Sequence, residues 1–284
     1  MNERHIAGIK LFALDLDGTV LSRDSQVRED VAGAIERLRR SGVECVVATG
    51  RRLSSARPHL ERLDLRGAVV LHNGAVVASS PSGPTIWSRY LDPDVCRGVL
   101  AVVKGKGLGS IVFYDAPDGP DEMMIEAASP DPCGYLRWYT KLVKGCYTIM
   151  EDLGRASLRR VTRVIAAGEI GVLRDTAALL GEMLPSEVRT LIVSDPIVSI
   201  LRIEILNPEA TKSAGVRVVA DLLGIGLESV AAIGDDVNDL DMVREAACGI
   251  AVRNAHEELR DVADHVTSLE GPEGFLEAVE WILG

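Results

Sequence analysis

At 284 residues the chain exceeds the usual size of one compact domain, which predicts two domains or one large α/β domain. With 47% hydrophobic and 26% charged residues it has the make-up of an ordinary globular protein, which excludes a largely disordered or fibrous chain. Its 31 Lys plus Arg against 42 Asp plus Glu leave a net charge of −11, a field that repels nucleic acid and anionic membrane surfaces, so an anionic ligand needs a locally positive site.

The cysteines Cys45, Cys96, Cys133, Cys146 and Cys248 are odd in number and show no CxxC pair or His partner at zinc spacing. They read as free thiols in a reducing compartment. No uncharged apolar leader follows residues 1–5, and no segment approaches the length of a membrane span, so the expected location is the cytoplasm.

In chain order, residues 9–16 form a short apolar run ending in acidic residues, and Val27, Val31, Ala34, Ile35 and Leu38 then recur at helical spacing. The pattern of strand, loop and helix repeats: 43–48 is β-branched and apolar, 53–63 is amphipathic, and 68–71 is apolar again. Such alternation predicts a parallel sheet with crossover helices. Residues 81–195 differ, with the turn-rich tracts Pro81-Ser82-Gly83-Pro84 and Asp115-Ala116-Pro117-Asp118-Gly119-Pro120 and shorter elements. Helices are predicted there over 95–103 and 170–180, and strands over 110–114, 161–166, 188–193 and 198–205, the last returning the chain to the core. The first pattern resumes with a helix over 213–223, a strand at 229–233, a helix after Asp236, a strand near 249–252 and a helix from Glu273. Residues 1–80 and 196–284 are therefore predicted as halves of one doubly wound, Rossmann-like α/β core, and 81–195 as an inserted α/β domain.

The sharpest chemical feature is Asp15-Leu16-Asp17-Gly18-Thr19, directly after the first strand, where open α/β sheets bind ligands. In extended backbone, Asp15 and Asp17 point the same way and can face one reaction centre in distinct roles, one attacking and one handling the proton. Two aspartates alone are more simply an acidic turn closed by Gly18. Ala48-Thr49-Gly50-Arg51 follows a second strand, where a hydroxyl and amides can hold phosphoryl oxygens, although a helix N-cap is the simpler account of that motif alone. Lys212 stands near a helix start, a compact cation suited to phosphate, though a lone lysine is usually solvated.

Gly234-Asp235-Asp236-Val237-Asn238-Asp239 follows a late strand, and a helix beginning there would put Asp235 and Asp239 one turn apart on one face. Two like charges about 4 Å apart repel by roughly 4 kcal/mol at an effective dielectric near 20, enough to force protonation or metal binding. All-oxygen ligands without His or Cys favour a hard ion, Mg²⁺ if the substrate is a phosphate. A structural Ca²⁺ loop lacks its Asp-x-Asp-x-Asp-Gly alternation here.

Taken together and in this order, the four motifs resemble those of the haloacid dehalogenase superfamily, and the long insert between Thr49 and Lys212 resembles its Cof-like branch with an α/β cap. The resemblance covers essentially the whole chain. It implies a Mg²⁺-dependent phosphatase acting on a small phosphorylated metabolite, a sugar phosphate or similar, through an aspartyl-phosphate. Carried over by motif, Asp15 is the nucleophile and a metal ligand, and Asp17 the acid and base, with its backbone carbonyl on the metal. Thr49 binds the phosphoryl group, Lys212 neutralises both that group and the nucleophile, Asp235 is a metal ligand and Asp239 a ligand or an anchor. Gly50, Arg51, Asn73 and Asn238 are expected to contact the substrate. Ser213 stands where the branch usually has Gly after the lysine, and Asp236 reads as a helix N-terminal acid.

Three rivals remain: a phosphosugar mutase of the same fold, a receiver that merely stores an aspartyl-phosphate, and a metal-binding scaffold without turnover. Trp87, Tyr114, Trp138 and Tyr139 are candidates to stack on a sugar ring, although aromatics in an insert more often form its own small core. His5, His59, His72, His256 and His265 share no spacing and are expected at the surface or at caps. No nucleic acid or membrane partner is expected, and the oligomeric state is open.

Overall fold

The computed structural model describes residues 8–22, 25–116, 122–143, 145–195 and 198–284. Residues 1–5, with His5, and the 117–120 part of the second turn-rich tract lie outside them. The chain divides into two compact units, one running to Ser88 and resuming at Thr211–Gly284, the other Arg89–Ala210. The boundaries thus fall at 88/89 and 210/211, not at the expected 80/81 and 195/196.

In the first unit, β1 (Leu11–Leu14) is buried at all four positions, as befits a strand covered on both faces. Helix α1 (Glu29–Arg40) buries Val31, Ala34, Ile35 and Leu38. Glu29 and Asp30 occupy its first turn and Arg37, Arg39 and Arg40 its last, complementing the helix dipole. Then come β2 (Glu44–Ala48), α2 (Leu53–Arg62), β3 (Val69–Leu71) and an antiparallel hairpin of β4 (Val76–Ala78) and β5 (Thr85–Ser88). The tract at 81–84, expected to open the insert, is the loop of that hairpin: Ser79 N donates to Pro84 O at 2.9 Å and Gly83 N to Ser80 O at 3.1 Å. Pro and Gly mark a reversal of the chain whether a hairpin or a new domain follows. Trp87 accordingly lies on β5, outside the inserted unit.

The inserted unit comprises α3 (Pro93–Gly105), β6 (Ser110–Tyr114), β7 (Met123–Glu126), α4 (Tyr135–Leu142), β8 (Tyr147–Met150), β9 (Val161–Ala167), α5 (Ile170–Met183), β10 (Arg189–Ser194) and β11 (Leu201–Leu206). Its sheet has the order β10-β11-β9-β6-β7-β8. Strand β11, expected to lead back into the core, pairs antiparallel with both β10 and β9 inside this sheet. Its Ile203 and Ile205 join the cluster with Cys96, Val99, Leu173 and Leu180 of α3 and α5. The other three candidate stacking aromatics, Tyr114, Trp138 and Tyr139, serve the unit's own core. Tyr114 is 7% exposed within the α3/α5 cluster, and Tyr135, Trp138 and Tyr139 pack against one another at 5.6–6.1 Å between centroids.

The first unit resumes with α6 (Lys212–Leu223), β12 (Val230–Gly234), α7 (Leu240–Glu245), β13 (Cys248–Ala251), α8 (Glu257–Val262), β14 (His265–Val266) and α9 (Gly271–Leu283). Its sheet has the order β14-β13-β12-β1-β2-β3-β4-β5, parallel from β14 through β3. From β1 the chain winds outward to β2 and β3, then returns on the other side to β12, β13 and β14. The winding reverses between β1 and β12, the switch point at which sheets of this kind open a crevice for ligands. Among the described residues no helix is long and apolar enough to cross a membrane.

Candidate active site

Asp15 follows β1, Asp235 follows β12, Thr49 follows β2 and Asn73 follows β3, so all four leave the carboxyl ends of neighbouring strands. Pairing continues just past the strands: Asp15 N donates to Ile233 O at 3.1 Å and Thr49 N to Val70 O at 2.9 Å. Lys212 opens α6, whose N-cap Thr211 accepts from Ala214 N at 3.0 Å.

Lys212 joins two of the acids. Its wholly buried Nζ donates to Asp15 Oδ1 at 2.5 Å and to Asp239 Oδ1 at 2.7 Å. The other oxygen of Asp239 accepts from the amides of Asp235 and Asp236 at 3.1 and 3.2 Å. Asp239 is thus an anchor for the lysine and for the loop that carries Asp235. The two were expected on one helical face, but helical structure begins only at Val237, with Asp236 as its N-cap (Oδ1 accepting from Val237 N at 2.8 Å) and Asp235 standing before it. Charge at a helix start satisfies otherwise orphaned amides, and that local demand decides where the turn begins.

Two residues of the first motif that had no assigned role set Asp235. Thr19 Oγ1 donates to Asp235 Oδ1 at 3.2 Å. Gly18 has φ +83°, and a Cβ on it would lie 2.1 Å from Asp235 Oδ2, so any side chain there displaces that carboxylate. The contact spans 216 residues, and nothing local in the sequence signals it.

Burial, with Asp239 and Asp17 nearby, pushes the Asp15 carboxyl up to about 8 against the opposing pull of Lys212. Asp235 is raised well above the carboxylate range by burial and by Asp15, Asp239 and Asp236. Burial acts to lower Lys212, but Asp15 and Asp239 hold it above its ordinary value. Carboxylate oxygens of Asp15, Asp235 and Asp239 lie within 4.8 Å of one another. One ammonium cannot balance three carboxylates. Asp15 Oδ2 is buried and has no hydrogen-bond partner among the described residues, an unfavourable state for a carboxylate oxygen unless a cation or a reacting atom meets it. An all-oxygen set with this excess of charge fits a hard divalent ion such as Mg²⁺.

Asp17 sits in different surroundings. The chain turns after Asp15, with Val20 N and Leu21 N both donating to Leu16 O, and the Asp17 carboxylate takes two hydrogen bonds from Arg51. Thr49 is fully buried. Its Oγ1 accepts from Arg51 N at 3.1 Å and its carbonyl from Asn73 N at 3.1 Å. Asn238 Nδ2 donates to Asn73 Oδ1 at 2.9 Å, so two residues expected to contact substrate bond each other here, and Asn73 is 2% exposed.

His72, Asn73 and Gly74 are consecutive left-handed residues at φ +51°, +56° and +92°. Non-glycine residues there carry strain of about 1–2 kcal/mol each, so packing holds this segment in place. His72, expected at the surface or a cap, is 4% exposed.

A family model described as haloacid dehalogenase-like hydrolase matches residues 12–279. The HMP-PP phosphatase of Cronobacter sakazakii is 27% identical over 260 residues, covering 90% of this chain and 89% of that protein. The 5-amino-6-(5-phospho-D-ribitylamino)uracil phosphatase YitU of Bacillus subtilis is 26% identical over 273 residues, covering 93% and 94%. The crystal structure of a haloacid dehalogenase-like hydrolase from Bacteroides thetaiotaomicron superposes with a TM-score of 0.79 at 25% identity, covering 96% of this chain and 99% of that one.

Proposed function

The chain belongs to the haloacid dehalogenase-like hydrolases and is a phosphoric monoester hydrolase, and from that premise we propose that it uses Mg²⁺ to dephosphorylate a small phosphorylated metabolite through a phosphorylated Asp15. The observation that carries this reading is the state of Asp15. One of its oxygens is held by Lys212 at 2.5 Å, and the other is buried with no hydrogen bond among the described residues. An oriented carboxylate with one uncommitted oxygen is the arrangement a covalent attack needs.

Asp15 attacks phosphorus in line with the departing alkoxide, Asp17 gives that alkoxide its proton, and Asp17 then takes a proton from the water that cleaves the acyl phosphate. Lys212 and the Thr49 hydroxyl balance charge on the phosphoryl oxygens in both steps. Asp15 and Asp235, with the backbone carbonyl of Asp17, would hold Mg²⁺, which supplies further positive charge to the same oxygens.

The two relatives act, by name, on chemically different phosphorylated metabolites, so what carries over is the phosphoryl group and a small organic body. The unit Arg89–Ala210 is proposed to select that body, and a panel of sugar phosphates, phosphoglycolate, nucleotides and pyridoxal phosphate identifies it. Hydrolysis by a storage receiver would be absent, and a mutase would move label between sugar positions without releasing phosphate.

Two results are expected. Hydrolysis of an aryl phosphate stops in chelator, returns with Mg²⁺ and is inhibited by Ca²⁺, which accepts looser and higher coordination; full activity in chelator would remove the metal from the reading.

Asp17→Asn slows alkyl phosphates by roughly 10²–10⁴-fold, the usual contribution of a positioned acid–base group. With an activated aryl or acyl phosphate the same variant still phosphorylates Asp15, lacks the base for the second step, and accumulates a hydroxylamine-sensitive phosphoenzyme. Native turnover of alkyl phosphates by this variant would overturn the role of Asp17.

A further inference from the structure

The Arg51 guanidinium is engaged through every nitrogen. Nε donates to Asp17 Oδ2 at 2.7 Å, and Nη2 donates to Asp17 Oδ1 at 2.5 Å and to Ser25 Oγ at 3.3 Å. Nη1 lies 2.8 Å from His59 Nε2 and 3.5 Å from Ser55 O. The fork on Asp17 is the bidentate pairing that fixes the plane of a carboxylate as well as its position. Ser55 and His59 are one turn apart on α2, so the far side of the guanidinium rests on a rigid helix face. Burial, with the Arg51 charge next in weight, holds His59 below its ordinary value, which leaves a neutral ring able to accept the Nη1 hydrogen.

Resting on the phosphatase reading above, we propose that His59 is a positioning residue for the reaction: through Arg51 it sets the rotamer and plane of the Asp17 carboxylate. Side-chain exposures of 19% for Arg51 and 30% for Asp17 mean that Asp17 without its fork is free to take several rotamers. Proton delivery tolerates little of this, because a displacement of about 1 Å from productive geometry can lower a rate about 10²-fold. Arg51, expected to bind substrate, in this account serves the reaction through Asp17.

The test is a leaving-group comparison in Mg²⁺, with glycerol phosphate as the alkyl ester and nitrophenyl phosphate as the activated one. His59→Leu removes the acceptor and is expected to lower kcat/KM on glycerol phosphate about tenfold to a hundredfold with little change in kcat/KM on nitrophenyl phosphate, because that ratio reads the phosphorylation step, while the shared dephosphorylation step slows and lets the phosphoenzyme accumulate on nitrophenyl phosphate. His59→Gln keeps an acceptor oxygen in reach and is expected to restore most of the alkyl rate. Arg51→Lys is an independent arm, since an ammonium keeps the charge but cannot make the fork, and the same selective loss is expected. Equal loss of kcat/KM on both esters, or no loss in either arm, overturns the proposal. A wild-type protein inactive on both esters would sink the phosphatase reading itself, and this inference with it.

Discussion

Asp15→Asn is expected to reduce phosphate ester hydrolysis to background, by roughly 10⁵–10⁶-fold, the scale on which an enzyme loses rate with its nucleophile. The amide has the shape of the carboxylate but does not attack phosphorus, so no hydroxylamine-sensitive label should form with any donor. The fold should tolerate the change, because it removes one of three clustered negative charges. A pH signature follows. The folded Asp15 carboxyl sits at about 8, above its ordinary value of 3.8, so between those values the folded chain binds more protons than the unfolded one. Its contribution to stability is therefore present at low pH and lost as pH rises through about 8. In chelator, the melting temperature of the wild-type chain should fall more between pH 6 and pH 9 than that of Asp15→Asn. Retained turnover in the variant, or an identical pH profile, would count against Asp15 as the strained nucleophile.

Lys212→Met should cost both stability and rate. The ammonium is fully buried and touches Asp15 and Asp239, so removing it leaves two buried carboxylates without their partner. Breaking a buried pair in this way typically destabilises by about 3–5 kcal/mol, which denaturant unfolding in chelator would read directly. Mg²⁺ should offset part of the loss by supplying the missing positive charge. The rate should remain low even with the ion, by about 10²–10³-fold, since a fixed donor to developing charge is gone. Lys212→Arg is not expected to rescue, because a larger planar group has no room in a site of 0% exposure. Near-native stability and rate in Lys212→Met would mean that the lysine holds neither acid.

Much of this was legible in the chain itself. The strand and helix runs of the first unit are strongly periodic, and each predicted element there appears, with β1, β2, β3 and β12 ending beside the motifs that mark them. The inserted unit was harder. Its β7 has four residues, β8 exposes Ile149 at 61%, and α4, although amphipathic, runs only eight residues from Gly134 without a side-chain N-cap, so these elements are short or lack a start signal. Turn residues and apolar alternation are local and say nothing about which sheet accepts a strand, which is why the loop at 81–84 reads as part of the insert and β11 as part of the core, although the first joins β4 to β5 and the second pairs with β9 and β10.

The sequence by itself determined which chemical groups stand at the ends of the core strands, since a motif placed directly after an apolar run stays at that strand's end however the sheet is assembled. Only the tertiary structure decided the partnerships of Lys212 with Asp239, of Thr19 with Asp235 across 216 residues, and of Asp17 with Arg51 and not with the charge cluster, whereas Lys212 beside Asp15 is what the family resemblance implies. Those pairings follow from the order β12-β1-β2, which sets acids from distant parts of the chain side by side. Strand order is a property of non-local contacts, and no spacing along the chain encodes it.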